Sequence, residues 1–287
     1  MKTILIATDF SATANHTAIY GYRMAQQLRA KVLLCHVLNV PTEIPQNGIV
    51  AWPAEVYDDL IHDSNDELAK LRCRLIAEGD PDGYQAEIFC LQEAGFVTDV
   101  LNAAAEANQA DIILIGMHGN DAVSTLMMGN HTRKMIDTAV CPLLLVPARV
   151  TAKPVKRIAF ACDLVEPDKD AGVIGQLINF AKTLDAEVIL THVDQSHDAP
   201  GYMLTGKHLL ENLIARFNYP KISFTVVKSE KVENGLDWLI RDKGIDMLAM
   251  VHREHTFFKQ LFEGSFTQKT ARQLPVPLLV LKAGNAV

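Results

Sequence analysis

The stretch KTILIATDF, residues 2–10, recurs in altered form as KRIAFACDL at residues 156–164. Each copy has a basic residue, then an apolar run of strand length, then an aspartate, which is Asp9 in the first copy and Asp163 in the second. The apolar runs lack polar alternation, which is typical of parallel strands covered on both faces. An aspartate directly after such a strand stands at its carboxyl end, where open parallel sheets bind their ligands.

The rest of the chain repeats as well. AKVLLCHV (30–37) returns as AEVILTHV (186–193), and ADIILIG (110–116) returns as IDMLAMV (245–251). The segment that starts at Gly129 and ends in CPLLLVP matches the one that starts at Gly264 and ends in VPLLVLK. This match and that of ADIILIG with IDMLAMV share an offset of 135 residues. We therefore predict two domains, residues 1–150 and 151–287, joined in the linker-like stretch ARVTAKPVK.

Strand and helix patterns alternate within each copy, which favours parallel sheets with helical crossovers. Helical spacing of apolar residues after Ser11, a suitable N-cap, predicts the first helix. The fold expected is α/β, with two tandem doubly wound domains that each contain a five-stranded parallel sheet. In copy one we predict strands at Thr3–Ala7, Lys31–Val37, Tyr84–Leu91, Asp111–Gly116 and Pro142–Val146, and further helices at Glu55–Ala77, Val97–Ala107 and from Gly129-Asn130 to Ala139.

Composition excludes several classes of function. The net charge of −7 and pI of about 5.8 argue against a nucleic-acid partner. No apolar run approaches the roughly 20 residues of a membrane span, and the apolar run before Asp9 is too short for a signal peptide. The five scattered cysteines, without a CxxC, predict reduced core thiols, and hence a cytoplasmic protein with neither disulfides nor a zinc site.

The glycine-rich stretch GMHGNDAVSTLMMGNHT, residues 116–132, follows a predicted strand and leads into a predicted helix. A helix N-terminus offers free N–H groups to phosphate, and glycine lets the backbone approach it closely. Neither GxxxxGK[ST] nor GxGxxG after the first strand is present, which argues against the two commonest nucleotide folds.

The spacing Gly-x2-Gly-x9-Gly in this stretch, together with ATDFS and the HV pair, resembles the universal stress protein family. The resemblance covers essentially the whole chain as two tandem copies, and it implies an adenine nucleotide alpha hydrolase-like fold. It also implies that ATP, or AMP or ADP, is the ligand, with Mg²⁺ as a companion ion.

Carried over to this chain, the resemblance assigns a role to eight residues. Asp9 and Val37 would contact adenine or ribose, and Gly116 and Gly119 would line the ribose and phosphates. Phosphate would be held by Gly129, Asn130, His131 and Thr132. His118, between two motif glycines, is either a packing residue or a phosphate contact. Asn130 departs from the family pattern, which has Ser or Thr there.

Asp9 has an alternative role, and copy two loses most of the motif. That alternative is to cap the following helix without contacting a ligand. Val251 and Glu254 stand where Gly116 and Gly119 stand in copy one, so we expect the second domain to keep the fold without the nucleotide. HREH (252–255) lacks the HExxH spacing of zinc enzymes and is interpreted as a solvated turn.

We predict an ATP-binding regulator of the stress response, without catalytic residues or a metal site. The alternatives are a nucleotide-free scaffold that acts through protein contacts, and a slow ATPase. Because each copy ends in an apolar strand that needs cover, we predict that the two domains pair through these last strands. A further homodimer of the whole chain stays open.

Overall fold

The computed structural model of the 287-residue chain describes residues 2–38, 54–117, 130–162, 164, 167–195, 201–252 and 275–282. Strands and helices alternate along both repeats. The strands are β1 Thr3–Thr8, β2 Lys31–Leu38, β3 Ile88–Ala94, β4 Ile112–Met117, β5 Leu143–Pro147, β6 Arg157–Ala161, β7 Glu187–Asp194, β8 Ile222–Lys228, β9 Met247–His252 and β10 Leu278–Lys282. The helices are α1 Ala12–Leu28, α2 Ala54–Glu78, α3 Val97–Ala107, α4 Asn130–Thr138, α5 Pro167–Leu184, α6 Gly201–Phe217 and α7 Val232–Lys243.

The chain forms two compact units. Unit 1 comprises residues 1–116 and 138–141, and unit 2 comprises residues 117–137 and 142–287. These units differ from the two sequence repeats, because most of α4 and all of β5 come from the first repeat and cluster with unit 2.

Unit 1 contains a parallel sheet in the order β3-β2-β1-β4. The apolar runs predicted for β1 and β4 are buried: Ile4, Leu5 and Ile6 are at most 1% exposed. Because the chain moves from β1 outward to β3 and then returns to β4, the crossover direction reverses between β1 and β4. The carboxyl ends of these two strands therefore flank a topological switch point, where doubly wound sheets bind ligands.

Unit 2 contains the strand order β5-β10-β9-β6-β7-β8. Strands β6 to β10 are parallel to one another, as β1 to β4 are in the first repeat. β5 joins β10 in the antiparallel direction, with Leu144 opposite Leu279 and Leu143 opposite Val280. These leucines are at most 1% exposed, so the ladder between β5 and β10 is apolar and covered.

The predicted α/β fold class is confirmed, and helix α3 has the predicted ends, Val97 and Ala107. The third strand was misplaced: it starts at Ile88 and not at Tyr84. A turn occupies the residues before it, in which Asp80 Oδ1 accepts from Asp82 N at 3.1 Å. Gln85 Nε2 also donates to the Asp80 carbonyl at 3.4 Å, so the chain cannot extend there.

The prediction of core thiols is only partly right. None of the five cysteines forms a disulfide, but only Cys35 is buried; Cys73 and Cys90 are exposed. Cys73 lies on a solvent-facing side of α2, and Cys90 lies on β3, whose sheet face is largely open to solvent. In the described part of the chain, no helix has the length and apolar character needed to cross a membrane.

Candidate functional site

The turn after β1 is held by its own side chains. Asp9 Oδ1 accepts a hydrogen bond from the backbone N–H of Ser11 at 3.0 Å, and Ser11 Oγ accepts from Ala14 N at 3.2 Å. Ser11 is therefore the N-cap of α1, as predicted, and Asp9 supports the turn that leads into the cap. The carboxylate itself is exposed at the carboxyl end of β1.

Phe10 completes this turn in an unusual backbone conformation. Its φ of 62° lies in the left-handed region, which costs a non-glycine residue of order 1 kcal/mol. Thr8 Oγ1 accepts from the Phe10 N–H at 3.1 Å, and Asn15 Nδ2 donates to the Phe10 carbonyl at 3.0 Å. Leu164, at the same place in the second repeat, has a φ of 58°. Phe10 and Leu164 thus share the left-handed conformation at equivalent positions.

His36 ties the ends of β1 and β2 together. Its Nδ1 lies 2.8 Å from the Thr8 carbonyl oxygen, so this nitrogen carries the proton and donates. The imidazole also stacks on the Phe10 ring, with the centroids 4.4 Å apart. A histidine held by a backbone carbonyl and an aromatic ring has a structural role.

The backbone of β2 alternates between its two neighbours, as in any parallel strand. Lys31 N donates to the Lys2 carbonyl at 2.8 Å, so the backbone groups of odd-numbered residues in β2 point toward β1. Gly95 N donates to the Leu38 carbonyl at 3.2 Å, so those of even-numbered residues point toward β3. By this alternation, the N–H and C=O of Val37 point to the β1 side.

β1 has already ended at that level. Among the described residues, its pairing with β2 stops at Thr8 opposite His36, whereas β2 continues to pair with β3 through Val37 and Leu38. The N–H and C=O of Val37 therefore face the position beyond the end of β1, next to the Asp9 turn. A donor and an acceptor side by side on one strand edge can recognise a planar group with the complementary pair.

Gly116 lies close to helix α1. A Cβ at this position would lie 2.7 Å from Thr17 Oγ1 and 2.9 Å from Thr13 Cγ2. Extending the register in which Leu114 pairs with Ile6 places Gly116 beside Thr8 at the end of β1. Tight packing of α1 on β4 thus requires glycine here, whether or not a ligand also approaches.

The remaining predicted site residues belong to the segment that leads into α4. His118, Gly119 and Gly129 lie outside the described residues. α4 begins at Asn130; His131 is exposed and Thr132 is 5% exposed. The structure therefore brings Asp9, Val37 and Gly116 together at the strand ends of unit 1, whereas α4 is described with unit 2.

The second repeat keeps the bond from the histidine to a backbone carbonyl but packs a different aromatic ring against the imidazole. His192 Nδ1 lies 3.1 Å from the Cys162 carbonyl oxygen, which matches the bond between His36 and Thr8. The aromatic partner is Tyr202 of α6, with ring centroids 4.2 Å apart. His192 and Leu164 are 8% and 6% exposed, while His36 and Phe10 are half-buried. The strand ends are therefore more open in the first repeat.

Cys35 lies in β2 near the proposed site, but its thiol is not suited to catalysis. The Cys35 thiol, one residue before His36, has its pKa raised to about 12 by burial, with the negative charge of Glu93 adding to the effect. It is therefore protonated at neutral pH and is a poor nucleophile.

HREH was interpreted as a solvated turn; residues 253–255 lie outside the described residues, and for His252 the interpretation is wrong. His252 is the last residue of β9, and its Nε2 lies 3.1 Å from Asp137 Oδ1. Within the described ranges, no group of three or more His, Cys, Asp or Glu side chains is arranged to hold a metal ion.

Sequence reasoning missed two features of the site. The outward-facing backbone of Val37 arises from the unequal lengths of β1 and β2, which no residue type encodes. The threonines that pack on Gly116 lie four residues apart on α1, as Thr13 and Thr17, and small residues at helical spacing were the only available signal.

Comparison with known proteins gives a consistent result for both repeats. The profile of the universal stress protein family matches residues 1–147 and 154–282. A universal stress protein of Thermus aquaticus is 29% identical over 146 residues, which are 50% of this chain and 98% of the relative. The relative YxiE of Bacillus subtilis is 26% identical over 149 residues, which are 51% of this chain and 97% of its own.

Solved structures also resemble the chain over nearly its whole length. The crystal structure of a universal stress protein from Archaeoglobus fulgidus superposes with a TM-score of 0.68 at 17% identity, covering 99% of this chain and 97% of the other. This likeness supports the fold. With the family profile matching both repeats, the chain belongs to the universal stress protein family.

Proposed function

We propose that the first repeat binds an adenine nucleotide, ATP or its AMP or ADP relatives, and that the second repeat is a largely structural domain. The domains of this proposal are residues 1–150 and 151–287. Asp9, Val37 and Gly116 would surround the nucleoside, and Asn130, His131 and Thr132 would receive the phosphates together with His118, Gly119 and Gly129.

The observation that carries the proposal is the edge of β2 at Val37. Adenine presents a ring-nitrogen acceptor beside an amino donor. The N–H and C=O of Val37 supply the matching donor and acceptor, beyond the end of β1 and at a switch point of the sheet. The exposed Asp9 carboxylate stands at the same strand end and can accept from a ribose hydroxyl.

The difference between the repeats supports a single site. Val193 occupies the position of Val37 and lies on an equivalent strand end. However, His192 beside it is stacked against Tyr202 and is nearly fully buried. Val251 and Glu254 replace two motif glycines, and a carboxylate would repel phosphate there.

If a divalent ion accompanies the triphosphate, the hydroxyl of Thr132 and the amide oxygen of Asn130 are the protein groups of the motif that can face it. Such an ion would neutralise phosphate charge. A regulatory role in stress adaptation fits the family. A cytoplasmic location fits the five cysteines, none of which forms a disulfide.

Calorimetric titration of the purified chain with ATP, ADP, AMP and adenosine tests the proposal. We expect one nucleotide to bind per chain, and mass spectrometry of extracted ligand to find an adenine nucleotide. A chain that binds none of the four compounds would be a scaffold that acts through protein contacts. A phosphate-release assay on the ATP complex then separates a binding protein from a slow ATPase.

A further inference from the structure

The C-terminal end of α4 receives two groups from far along the chain. His252 Nε2 lies 3.1 Å from the Asp137 carboxylate, and Lys282 Nζ donates to the Asp137 carbonyl at 2.8 Å. The last four carbonyls of a helix have no partner within it, and cations near this end interact favourably with the helix dipole. We call His252, Lys282 and Asp137 the α4 clamp.

The anchoring side of the clamp lies in the second repeat. The His252 side chain is 18% exposed and is fixed at the end of β9, whereas the Asp137 side chain is 68% exposed. Lys282 ends β10, the strand that pairs with β5. Asp137 itself belongs to the first repeat, so the clamp joins a helix of one repeat to two strand ends of the other.

The clamp is built in one direction. Applying the offset of 135 residues to its three members gives Arg272 for Asp137, Met117 for His252 and Pro147 for Lys282. Methionine and proline side chains cannot pair with an arginine as His252 and Lys282 do with Asp137. The first repeat therefore carries no imidazole or ammonium group at the positions equivalent to His252 and Lys282.

Helix α4 is short enough for its two ends to move together. It runs from Asn130 to Thr138, and Met135 and Ile136 are buried at 0% and 2% exposure. Within the first repeat, Asn102 Nδ2 donates to the Thr138 carbonyl at 3.1 Å. His252 and Lys282 of the second repeat bind the adjacent residue, Asp137.

We propose that His252 and Lys282 of the second repeat are positioning residues for phosphate binding at the N-terminus of α4. The inference rests on the proposed function above. It assigns a task to a repeat that has lost its own glycine motif: it fixes the helix whose first N–H groups, with His131 and Thr132, would meet the phosphates.

The proposal predicts a split between two ligands. Loosening α4 changes the distances to phosphate but leaves the nucleoside contacts at Asp9 and Val37 unchanged. In His252→Ala, and in Lys282→Met, which keeps an apolar stem, we expect ATP to bind about three- to tenfold more weakly, the range of a helix-end interaction. Adenosine affinity should change by less than about twofold.

Two further variants sharpen the test. His252→Gln keeps a side-chain nitrogen that can donate to Asp137, so we expect it to restore most of the ATP affinity. His208→Ala is the matched control, because His208 is an exposed histidine that lies 3.9 Å from Glu211 on α6. It should leave both affinities unchanged.

Titration of the full-length variants with ATP and with adenosine gives four outcomes. A selective loss of ATP affinity that the glutamine restores supports the proposal. Equal losses for both ligands, or no loss, overturn it in favour of a purely structural clamp. A wild-type chain that binds neither ligand overturns the proposed function first and this inference with it.

Discussion

At the scale of single residues, Asp9 has two separable roles. The N-cap of α1 is Ser11, so Asp9 does not cap the helix, but its Oδ1 accepts from Ser11 N at 3.0 Å. A local structural role and a role in ligand binding are thus compatible in one carboxylate. Replacement by alanine removes both, whereas replacement by asparagine keeps a side-chain oxygen for the turn and removes the charge.

We therefore expect Asp9→Asn to lower the affinity for ATP and for adenosine by a similar factor, about tenfold, because a charged acceptor is stronger than a neutral one. The free energy of unfolding should stay within about 0.5 kcal/mol of wild type. Asp9→Ala should show the same loss of affinity and lose about 1 kcal/mol of stability as well. Calorimetry and chemical denaturation measure the two quantities. Unchanged affinities in both variants would leave Asp9 with the turn alone.

Cys35 gives the chain a pH-dependent stability. Burial raises the pKa of its thiol to about 12 in the folded state, against an ordinary value of 9.0. Above pH 9 the unfolded chain releases this proton while the folded chain keeps it. Stability contributed by the protonated thiol is therefore fully present below pH 9 and is lost as the pH rises toward 12.

We expect Cys35→Ala to flatten the decline in unfolding free energy between pH 8 and pH 10 by about 1.4 kcal/mol relative to wild type. Urea denaturation at several pH values measures this difference. Cys73→Ala, which changes an exposed cysteine, is the control and should follow the wild-type curve. Parallel curves for Cys35→Ala and wild type would show that the buried thiol ionises without penalty.

At the scale of elements, the contact between α1 and β4 explains why position 116 is glycine, a residue that the sequence analysis assigned to ligand binding. Gly116 lies where a Cβ would contact both Thr17 and Thr13. α1 also carries Ser11 and the turn with Asp9. A larger residue at 116 would therefore displace the helix that positions the proposed site, and loss of binding in such a variant would not by itself identify a ligand contact.

We expect Gly116→Ala to cost about 1–3 kcal/mol of stability, the range of overpacked positions. Thr17→Ala removes the oxygen that lies 2.7 Å from the added Cβ, so the double variant should recover part of the loss, while Thr13 Cγ2 stays 2.9 Å away. A double-mutant cycle of unfolding free energies measures this coupling. If the two effects simply add, the packing explanation for Gly116 is wrong.

Sequence reasoning worked best where one physical rule acts alone. Apolar runs without alternation located β1 and β4, and helical periodicity located α3 to the residue. It failed for β3, whose start is set by side-chain bonds of the preceding turn, including those of Gln85. It also failed for His252, which the sequence shows as part of a polar run and the structure shows as a strand end paired with Asp137. Contacts made by distant residues have no local signal.

At the scale of the whole molecule, the last strands of the two repeats, β5 and β10, cover each other. Leu143 to Val146 of β5 and Leu278 to Leu281 of β10 are at most 2% exposed, and the two strands pair in an antiparallel ladder. An uncovered apolar edge strand is an aggregation hazard. Each repeat separated from the other would carry one such edge.

We expect residues 1–150 and 151–287, expressed separately, to self-associate or precipitate. Refolded together, they should form a one-to-one complex, because the leucines of one strand again cover those of the other. Light scattering on each half, on the mixture and on the intact chain measures the masses. Two soluble monomeric halves that do not interact would show that this ladder is dispensable for pairing of the repeats.

The ladder between β5 and β10 also fixes how the protein responds to its own abundance. Two strands on separate chains meet at a rate set by concentration, and their complex dissociates on dilution. Strands tethered in one polypeptide have a constant effective concentration, on the order of millimolar for short flexible connections. The contact therefore stays formed when a cell makes few copies, and the melting temperature should be the same at nanomolar and micromolar protein.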